Sequence, residues 1–364
     1  MSAVALRCVG QRGGMVWRGL RWQRITTVQT GLERFREEGC EVEIFPCTLV
    51  YVDADAGRSP NAASKDPLSY VDQAVGLNRS LLRAGMPRLN IITNAPDQID
   101  TRLATFAQEA HPRVHQLVMT IHLPKATPFY AAHFKLDLMD QVARTLPADT
   151  LMLLLDADVV AIRPLNDDLI QRCANAGIGV FDISDQVFSA YGSASVINDL
   201  EIVANRRLCN PRWYGGEFML ATPLTLSRLV SLAREYYVRY LLESGHLLHH
   251  GDETFISAAL NTLVDEGQGM VEVGAYQAIG RHWSGNCYRN LAWFRNCSFV
   301  HLPAGKALLE RESHQAAFIP AHFWRSVLIA HWLWRGRLAI KRLRDSLRAS
   351  TQKKPLAPTP RSVR

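Results

Sequence analysis

Short apolar runs alternate with helical segments along most of this chain, and that alternation restricts the fold more than any other feature. Runs rich in aliphatic and aromatic residues predict strands at 48–52, 89–93, 114–120, 151–155, 213–222 and 298–302. Helical periodicity predicts helices at 70–84, 134–146, 226–242, 252–263 and 320–349. This alternation indicates an α/β fold with a mainly parallel sheet and helices on both faces. Ligands of such sheets bind at the carboxyl ends of the strands.

The composition excludes several classes of protein. With 48% apolar and 21% charged residues among 364, the chain is globular rather than fibrous or wholly disordered. No apolar run approaches the roughly 18 residues of a membrane-spanning helix, and the first thirty residues lack the apolar core of a secretory signal. The seven scattered cysteines form no C-x-x-C pair, so we expect neither a disulfide framework nor a zinc ribbon. A reduced, cytoplasmic setting fits best.

The net charge of +7 is distributed unevenly. Residues 1–32 carry five arginines and no acid, residues 322–364 carry eleven basic residues and one acid, and the stretch between them is net −8. Basic residues confined to the chain ends do not indicate a nucleic-acid-binding fold, so no nucleic-acid partner is predicted. We therefore expect an Arg-rich extension (1–45), a main α/β domain (46–308), an amphipathic helical region (309–350) and a disordered tail (351–364). The extension fits a transit peptide, an arm for an anionic surface or a misassigned start codon.

Two acids follow the most apolar of the predicted strands. Residues 151–155 are all apolar, and Asp156-Ala157-Asp158 comes next. Because side chains alternate along an extended chain, Asp156 and Asp158 point to the same side and can bind one cation. Carboxylates suit Mg²⁺ or Mn²⁺, which commonly bridge protein acids and substrate phosphates. The alternative is a pair of acids that merely begins a solvated loop.

A second pair of this kind, Asp53-Ala-Asp55, follows the first predicted strand. In α/β nucleotide-binding domains the end of this strand usually holds the base and ribose. We therefore expect Asp53 and Asp55 to contact a nucleoside rather than the metal.

Other functions share parts of this pattern. Residues 152–160 also fit the nucleophile motif of haloacid-dehalogenase-type phosphatases, but the acid expected after Gly251-Asp252 is missing at Ile256. A nucleotidyltransferase would carry a glycine-rich, basic loop after its first strand, whereas residues 53–64 hold two acids, one glycine and one arginine. A non-enzymatic protein that binds anionic surfaces through its basic ends is the third alternative.

Five motifs occur along the chain in one order, namely Leu49-Val-Tyr-Val-Asp53, Leu77-Asn-Arg-Ser80-Leu81, His133-Phe-Lys135-Leu136, Asp156-Ala-Asp158 with the trailing Pro164-Leu-Asn-Asp-Asp168-Leu, and Val300-His301-Leu-Pro-Ala-Gly305-Lys306. Their order and spacing resemble family 8 of the GT-A nucleotide-sugar glycosyltransferases, which includes glycogenin and bacterial lipopolysaccharide galactosyltransferases. The resemblance spans residues 48–306. It implies a Rossmann-like GT-A fold and transfer of a sugar from a UDP-sugar to a hydroxyl group of a glycan or glycolipid.

The resemblance also implies roles for individual residues. Asp156, Asp158 and His301 would bind Mn²⁺ or Mg²⁺. The implied contacts to the UDP-sugar, from base to sugar, are Asp53 at the uracil, Gly305 and Lys306 at the diphosphate, and Lys135 at the donor sugar.

The chain departs from the family pattern on the acceptor side. The family's Asn-x-Gly corresponds to Tyr214-Gly215-Gly216 followed by Glu217, and its Asp-Gln corresponds to Asp252-Glu253. We expect Glu217, Asp252 and Glu253 to line the acceptor cleft as candidate catalytic residues. Asp252 and Glu253 would bind sugar, and Glu253 would stabilise oxocarbenium-like charge.

The C-terminal region predicts a basic amphipathic helix with several tryptophans. Apolar residues from Ile329 to Leu347 fall on one stripe, with arginines and lysines beside it. Such a helix lies flat on an anionic membrane surface, here at residues 322–348, or packs on the main domain with a solvated outer face. The first alternative predicts peripheral attachment to the cytoplasmic face of a membrane.

Overall fold

The computed structural model describes residues 42–53, 66–125, 127–283 and 288–351, with side chains described through Arg348. Asp55, the N-terminal extension up to residue 41 and the tail from residue 352 lie outside the described residues. The described residues from Val42 onward belong to one unit.

The described strands are β1 Glu43–Val50, β2 Asn90–Thr93, β3 Arg113–Gln116, β4 Thr150–Leu155, β5 Val159–Ala161, β6 Ile178–Asp182, β7 Tyr214–Ala221, β8 Val271–Glu272, β9 Ile279–Arg281 and β10 Phe299–His301. The described α-helices are α1 Ser69–Arg83, α2 Pro96–Leu103, α3 Lys135–Thr145, α4 Asp167–Ala176, α5 Ser184–Tyr191, α6 Ser193–Ala204, α7 Pro223–Glu243, α8 Asp252–Asp265, α9 Leu291–Arg295, α10 Lys306–Ser313 and α11 Pro320–Thr351.

Seven strands form the main sheet in the order β3-β2-β1-β4-β7-β6-β8. Strands β3, β2, β1 and β4 are parallel, and β7 runs antiparallel between β4 and β6. The predicted α/β class with a mainly parallel sheet and flanking helices is therefore confirmed, with β7 as the strand that makes the sheet mixed. The strand order reverses between β1 and β4, and ligands of open α/β sheets bind at such a switch point.

A second sheet of three strands has the order β5-β10-β9. Strand β5 begins directly after Asp158, so the chain passes from the main sheet into this small sheet across the acid pair. Strand β10 is antiparallel to β5, with His301 opposite Val159, and parallel to β9, with His301 beside Arg281. This pairing brings a late segment of the chain to the end of β4.

The predicted strands and helices correspond to observed elements, with shifted ends. Strand β1 begins at Glu43, five residues before the predicted start, and the predicted strand 114–120 is the shorter β3. Segment 164–212, for which no element was predicted, holds α4, β6, α5 and α6. Helix α4 has a local signal at its start, because the Asn166 side chain accepts hydrogen bonds from the backbone N–H groups of Asp168 and Leu169.

Two apolar cores hold these elements together. The larger core contains β1, β4 and β7 and the helices packed on the main sheet. The smaller core joins the small sheet to α10 and the start of α11, through Val160, Val300, Leu309, Phe323 and Val327. No helix in the described part of the chain combines the length and apolarity needed to cross a membrane.

Candidate active site

The acid pair and a distant histidine meet at the carboxyl end of β4. The His301 Nε2 atom lies 3.1 Å from Asp158 Oδ1. Asp156, Asp158 and His301 each offer a ligand atom, and these three atoms lie within 4.8 Å of one another. The three residues that the sequence assigned to a metal are thus brought together in a group that could hold an ion.

His301 lies between two carboxylates. Its Nδ1 atom is 3.2 Å from Glu217 Oε1, on the side opposite Asp158. Burial by itself would lower the pKa of His301, but the negative charges of Asp158 and Glu217 outweigh it and raise the pKa to about 9. A pKa of about 9 keeps the imidazole protonated at neutral pH, with Glu217 on its Nδ1 side and the acid pair on its Nε2 side.

This donor set fits a divalent cation. Two carboxylates and an imidazole are ligands that Mg²⁺, Mn²⁺ and related ions accept. Metal-binding histidines usually donate their second ring N–H to a carboxylate, which fixes the ring and its tautomer. Glu217 stands at that position behind His301.

Lys306 provides a positive charge on the far oxygen of Asp158. Its Nζ atom lies 2.8 Å from Asp158 Oδ2 and 4.8 Å from the ring centre of Tyr70. Lys306 is the first residue of α10, which packs on α1. The two helices approach closely at Gly76 of α1, because a Cβ there would lie only 2.8 Å from the Leu309 carbonyl oxygen of α10. Gly305 precedes Lys306 as the N-cap residue. The close helix packing therefore places Lys306 beside both Asp158 and Tyr70.

Lys135 makes a similar contact with the other acid. Its Nζ atom lies 2.7 Å from Asp156 Oδ1 and 3.2 Å from Asp252 Oδ2, and it donates a hydrogen bond of 2.9 Å to the Gly216 carbonyl. Lys135 begins α3 and Asp252 begins α8, so two helix starts converge under the end of β4. Burial raises the pKa of Asp252 to about 6, although the Lys135 ammonium opposes that rise.

Glu217 and Glu253 share a buried arginine that the sequence did not single out. Arg281 in β9 donates two hydrogen bonds to Glu217, at 2.7 and 2.6 Å, and one to Glu253 at 2.8 Å. Glu253 also accepts hydrogen bonds from the Trp213 indole at 2.8 Å and the Gly216 backbone N–H at 3.1 Å. A buried carboxylate requires a cationic partner, so the burial of Glu217 in the structure accounts for Arg281, for which the sequence carried no local signal.

Asp53 lies just after β1, the strand next to β4 in the main sheet. Its carboxylate is 3.9 Å from the Lys125 ammonium. Asp53 is therefore at the same edge of the sheet as the acid pair, where the sequence predicted a nucleoside contact.

Comparisons with known proteins give distant structural similarities only. No protein-family model and no curated protein matches the chain. Among solved structures, the chain is similar to the apo structure of the bifunctional glycosyltransferase WbbM, with 12% sequence identity and a TM-score of 0.44. The similarity covers 71% of this chain and 45% of that one. The part of WbbM that this chain matches is therefore less than half of that protein.

Proposed function

We propose that this chain is a divalent-metal-dependent glycosyltransferase. It would move a sugar from a nucleoside-diphosphate sugar, of the UDP class, to a hydroxyl group of a glycan, glycolipid or other acceptor. The observation that carries the proposal is the convergence of Asp156, Asp158, His301 and Lys306 at the carboxyl end of β4, beside the strand-order switch. A diphosphate leaving group requires its negative charge to be neutralised. Two acids and an imidazole that could hold a divalent cation, with a fixed ammonium beside them, would provide the positive charge.

Asp156, Asp158 and His301 would hold Mn²⁺ or Mg²⁺. A divalent ion bound there supplies a Lewis acid that neutralises negative charge on a diphosphate. The Glu217 carboxylate lies 3.2 Å from His301 Nδ1, and the Nε2 side of the ring faces the acid pair.

Lys306 would stabilise the charge that develops on the leaving diphosphate. Lys306 is 7% exposed and its ammonium contacts Asp158 and the Tyr70 ring, so little reorganisation is needed as that charge develops. Gly305, directly before Lys306, would bring the backbone close to the same diphosphate. Asp53, together with Asp55, would contact the nucleoside at the end of β1.

Lys135 would position carboxylates as well as sugar. Its ammonium lies 2.7 Å from Asp156 Oδ1 and 3.2 Å from Asp252 Oδ2, and it donates a hydrogen bond to the Gly216 carbonyl. We infer that Lys135 keeps Asp156 aimed at the metal position and Asp252 aimed at the sugar. Glu253, held by Arg281 and Trp213, would complete the wall on the acceptor side.

Calorimetric titration with UDP tests the metal and nucleotide parts of this proposal. We expect the intact protein to bind UDP with Mn²⁺ present and to lose binding in excess EDTA. Asp158→Asn should abolish Mn²⁺-dependent binding, since it removes a ligand. The matched control is Asp168→Asn, which alters an exposed acid paired with Arg172 one turn away, and it should bind normally. Retained far-UV circular dichroism would show that each variant is folded.

Product analysis separates sugar transfer from the alternatives. The protein, Mn²⁺ and a panel of nucleotide sugars should give slow hydrolysis of one donor to the nucleoside diphosphate and free sugar. UDP binding that is equal with and without metal, or equal in Asp158→Asn and the parent, would overturn the proposal. A sugar phosphate and nucleoside triphosphate converted to nucleotide sugar would instead identify a nucleotidyltransferase.

A further inference from the structure

The C-terminal helix α11 packs on the rest of the protein only near its start. It has 32 residues, which corresponds to a length of about 48 Å. Phe323, Trp324, Val327 and His331 are buried, the first three in the smaller core. Every residue from Trp332 to Arg348 is exposed except the partly exposed Leu338. The second half of α11 therefore extends beyond the described body.

The exposed apolar residues of α11 lie on the side opposite its packed face. At about 100° per residue, the four buried residues occupy an arc of about 100°. Five large aliphatic residues occupy an arc of about 80° centred on the other side. We call these five the α11 stripe: Ile329, Leu333, Ile340, Leu343 and Leu347, which are 52–63% exposed. The stripe consequently faces away from the smaller core along the whole helix.

Basic residues border the stripe on both sides. Six arginines and lysines flank it, with four on one side and two on the other: Arg337, Lys341, Arg344 and Arg348, and Arg335 and Arg342. Between residues 332 and 348 the only acid is Asp345, which lies on the far side of the helix. Trp332 stands at the stripe edge, with the Arg335 guanidinium 5.5 Å from its ring centre.

We propose that the α11 stripe binds the surface of an anionic lipid bilayer, with the helix parallel to the membrane plane. Aliphatic side chains of such a helix enter the acyl boundary while flanking arginines and lysines extend to the lipid headgroups. The basic flanks select an anionic surface. They also disfavour a second copy of this chain on the same stripe, because self-association would bring two sets of like charges together. This inference is independent of the proposed glycosyltransferase activity.

Vesicle flotation of the full-length protein tests the inference. We expect it to float with vesicles of phosphatidylcholine and phosphatidylglycerol, to remain unbound with phosphatidylcholine alone, and to bind more weakly as salt is added. Equal recovery with both vesicle types, or none with either, would overturn the inference. The Arg-rich N-terminal segment is the same in all variants, so their comparison isolates α11.

Two double variants distinguish the stripe from the opposite side of the helix. Ile340→Gln/Leu343→Gln removes two stripe residues, and Trp334→Gln/Leu338→Gln removes two apolar residues from the other side. Both pairs keep good helix formers. The stripe variant should lose binding to anionic vesicles by roughly tenfold per residue, from the lost apolar burial. The control should stay within about twofold of the parent, since its residues point away from the bilayer.

A third variant tests the charge flank. Arg337→Gln/Lys341→Gln/Arg344→Gln should weaken binding roughly fivefold per basic residue removed. Circular dichroism and Mn²⁺-dependent UDP binding should be unchanged in all three variants, which separates this test from that of the active site. Equal loss in the stripe and control variants would refute the proposal. A dimer of the parent protein, detected by light scattering without vesicles and dissociated only in the stripe variant, would also refute the proposal. The stripe would then join two copies of the chain.

Discussion

Asp158 is a buried carboxylate whose two oxygens face different partners, His301 and Lys306. Burial would raise its pKa, but the charges of these partners hold the pKa well below its usual range. The same balance extends through the site, where five acids are interleaved with four basic groups: Asp156, Asp158, Glu217, Asp252 and Glu253, with Lys135, Arg281, His301 and Lys306. Each acid is thus held in place before any ligand arrives.

Arg281 provides a test of how much this network contributes to stability. Arg281→Met would leave Glu217, which is fully buried, without its guanidinium partner. Removing one partner of a buried ion pair costs about 3–5 kcal/mol, because the other charge stays buried. We therefore expect a loss of that size in the free energy of unfolding. Urea denaturation measures it. The control Arg172→Met removes an exposed arginine paired with Asp168 and should leave the free energy of unfolding nearly unchanged, because solvent screens that pair. Similar costs for the two variants would contradict the prediction.

His133 gives the protein a pH dependence below neutrality. It is fully buried, its Nδ1 donates to the Phe129 carbonyl at 3.1 Å, and its Nε2 lies 3.1 Å from the Tyr240 hydroxyl. The Tyr240 hydroxyl accepts from the Gly251 backbone N–H, so its own proton goes to Nε2. Burial lowers the pKa of His133 from 6.5 to about 4. A proton on Nε2 would take away the acceptor of the Tyr240 hydroxyl proton.

The sign of the effect follows from these two pKa values. Between them the unfolded chain binds a proton that the folded chain does not, so stability falls as the pH decreases from 6.5 towards 4. The loss should reach about 2 kcal/mol near pH 5. His133→Gln has no titrating ring, so its free energy of unfolding should decrease less between neutral pH and pH 5 than that of the parent. Parallel pH profiles for the two proteins would be evidence against this account.

At the scale of elements, the pairing of β10 with β5 decides the composition of the site. Strand β5 continues from Asp158, and the antiparallel register sets His301 opposite Val159. The Leu302 backbone N–H then donates to the Asp158 carbonyl at 3.0 Å. Strand β9 pairs with β10 on its other side and brings Arg281 level with His301. Three strands of three residues each therefore bring His301, a candidate metal ligand, and the Arg281 guanidinium to the end of β4.

The end of α4 provides a test of element packing. Gly177 follows the helix in the left-handed region at φ +89°, and a Cβ there would lie 2.2 Å from Thr225 Oγ1 in α7. Gly267 has the same φ with open space around it. Gly267→Ala should therefore lower the free energy of unfolding by about 1–2 kcal/mol, the cost of the backbone conformation. Gly177→Ala should cost about 1–3 kcal/mol more because of the steric clash.

Thermal or urea denaturation of the two alanine variants measures this difference. Equal losses would mean that α7 moves aside without cost and that the contact between Gly177 and Thr225 does not constrain the fold.

At the scale of the whole molecule, the small sheet connects the candidate active site with α11. Val160 and Val300 of this sheet pack in the smaller core with Phe323 and Val327 of α11. His301, in the same strand as Val300, faces the acid pair. The helix proposed to bind the membrane is therefore anchored on the sheet that carries the third metal-ligand candidate.

The sequence alone determined those features that depend on local patterns. The apolar run 151–155, the acid pair after it and the long C-terminal helix were all predicted, because residue type and period specify them within one segment. The mainly parallel sheet followed from the alternation of strands and helices. The antiparallel direction of β7, the short strands β5 and β9, and the role of Arg281 carried no comparable local signal.

Only the tertiary structure decided which side chains meet. Lys135, Asp156, Gly216 and Asp252 come from four separate segments, and their contact depends on how two helix starts and two strands pack. Likewise, the packing of α11 on one side only determined that its aliphatic stripe is left exposed. Contacts between distant segments are set by the packing of the whole core, so the periodicity of a single segment does not specify them.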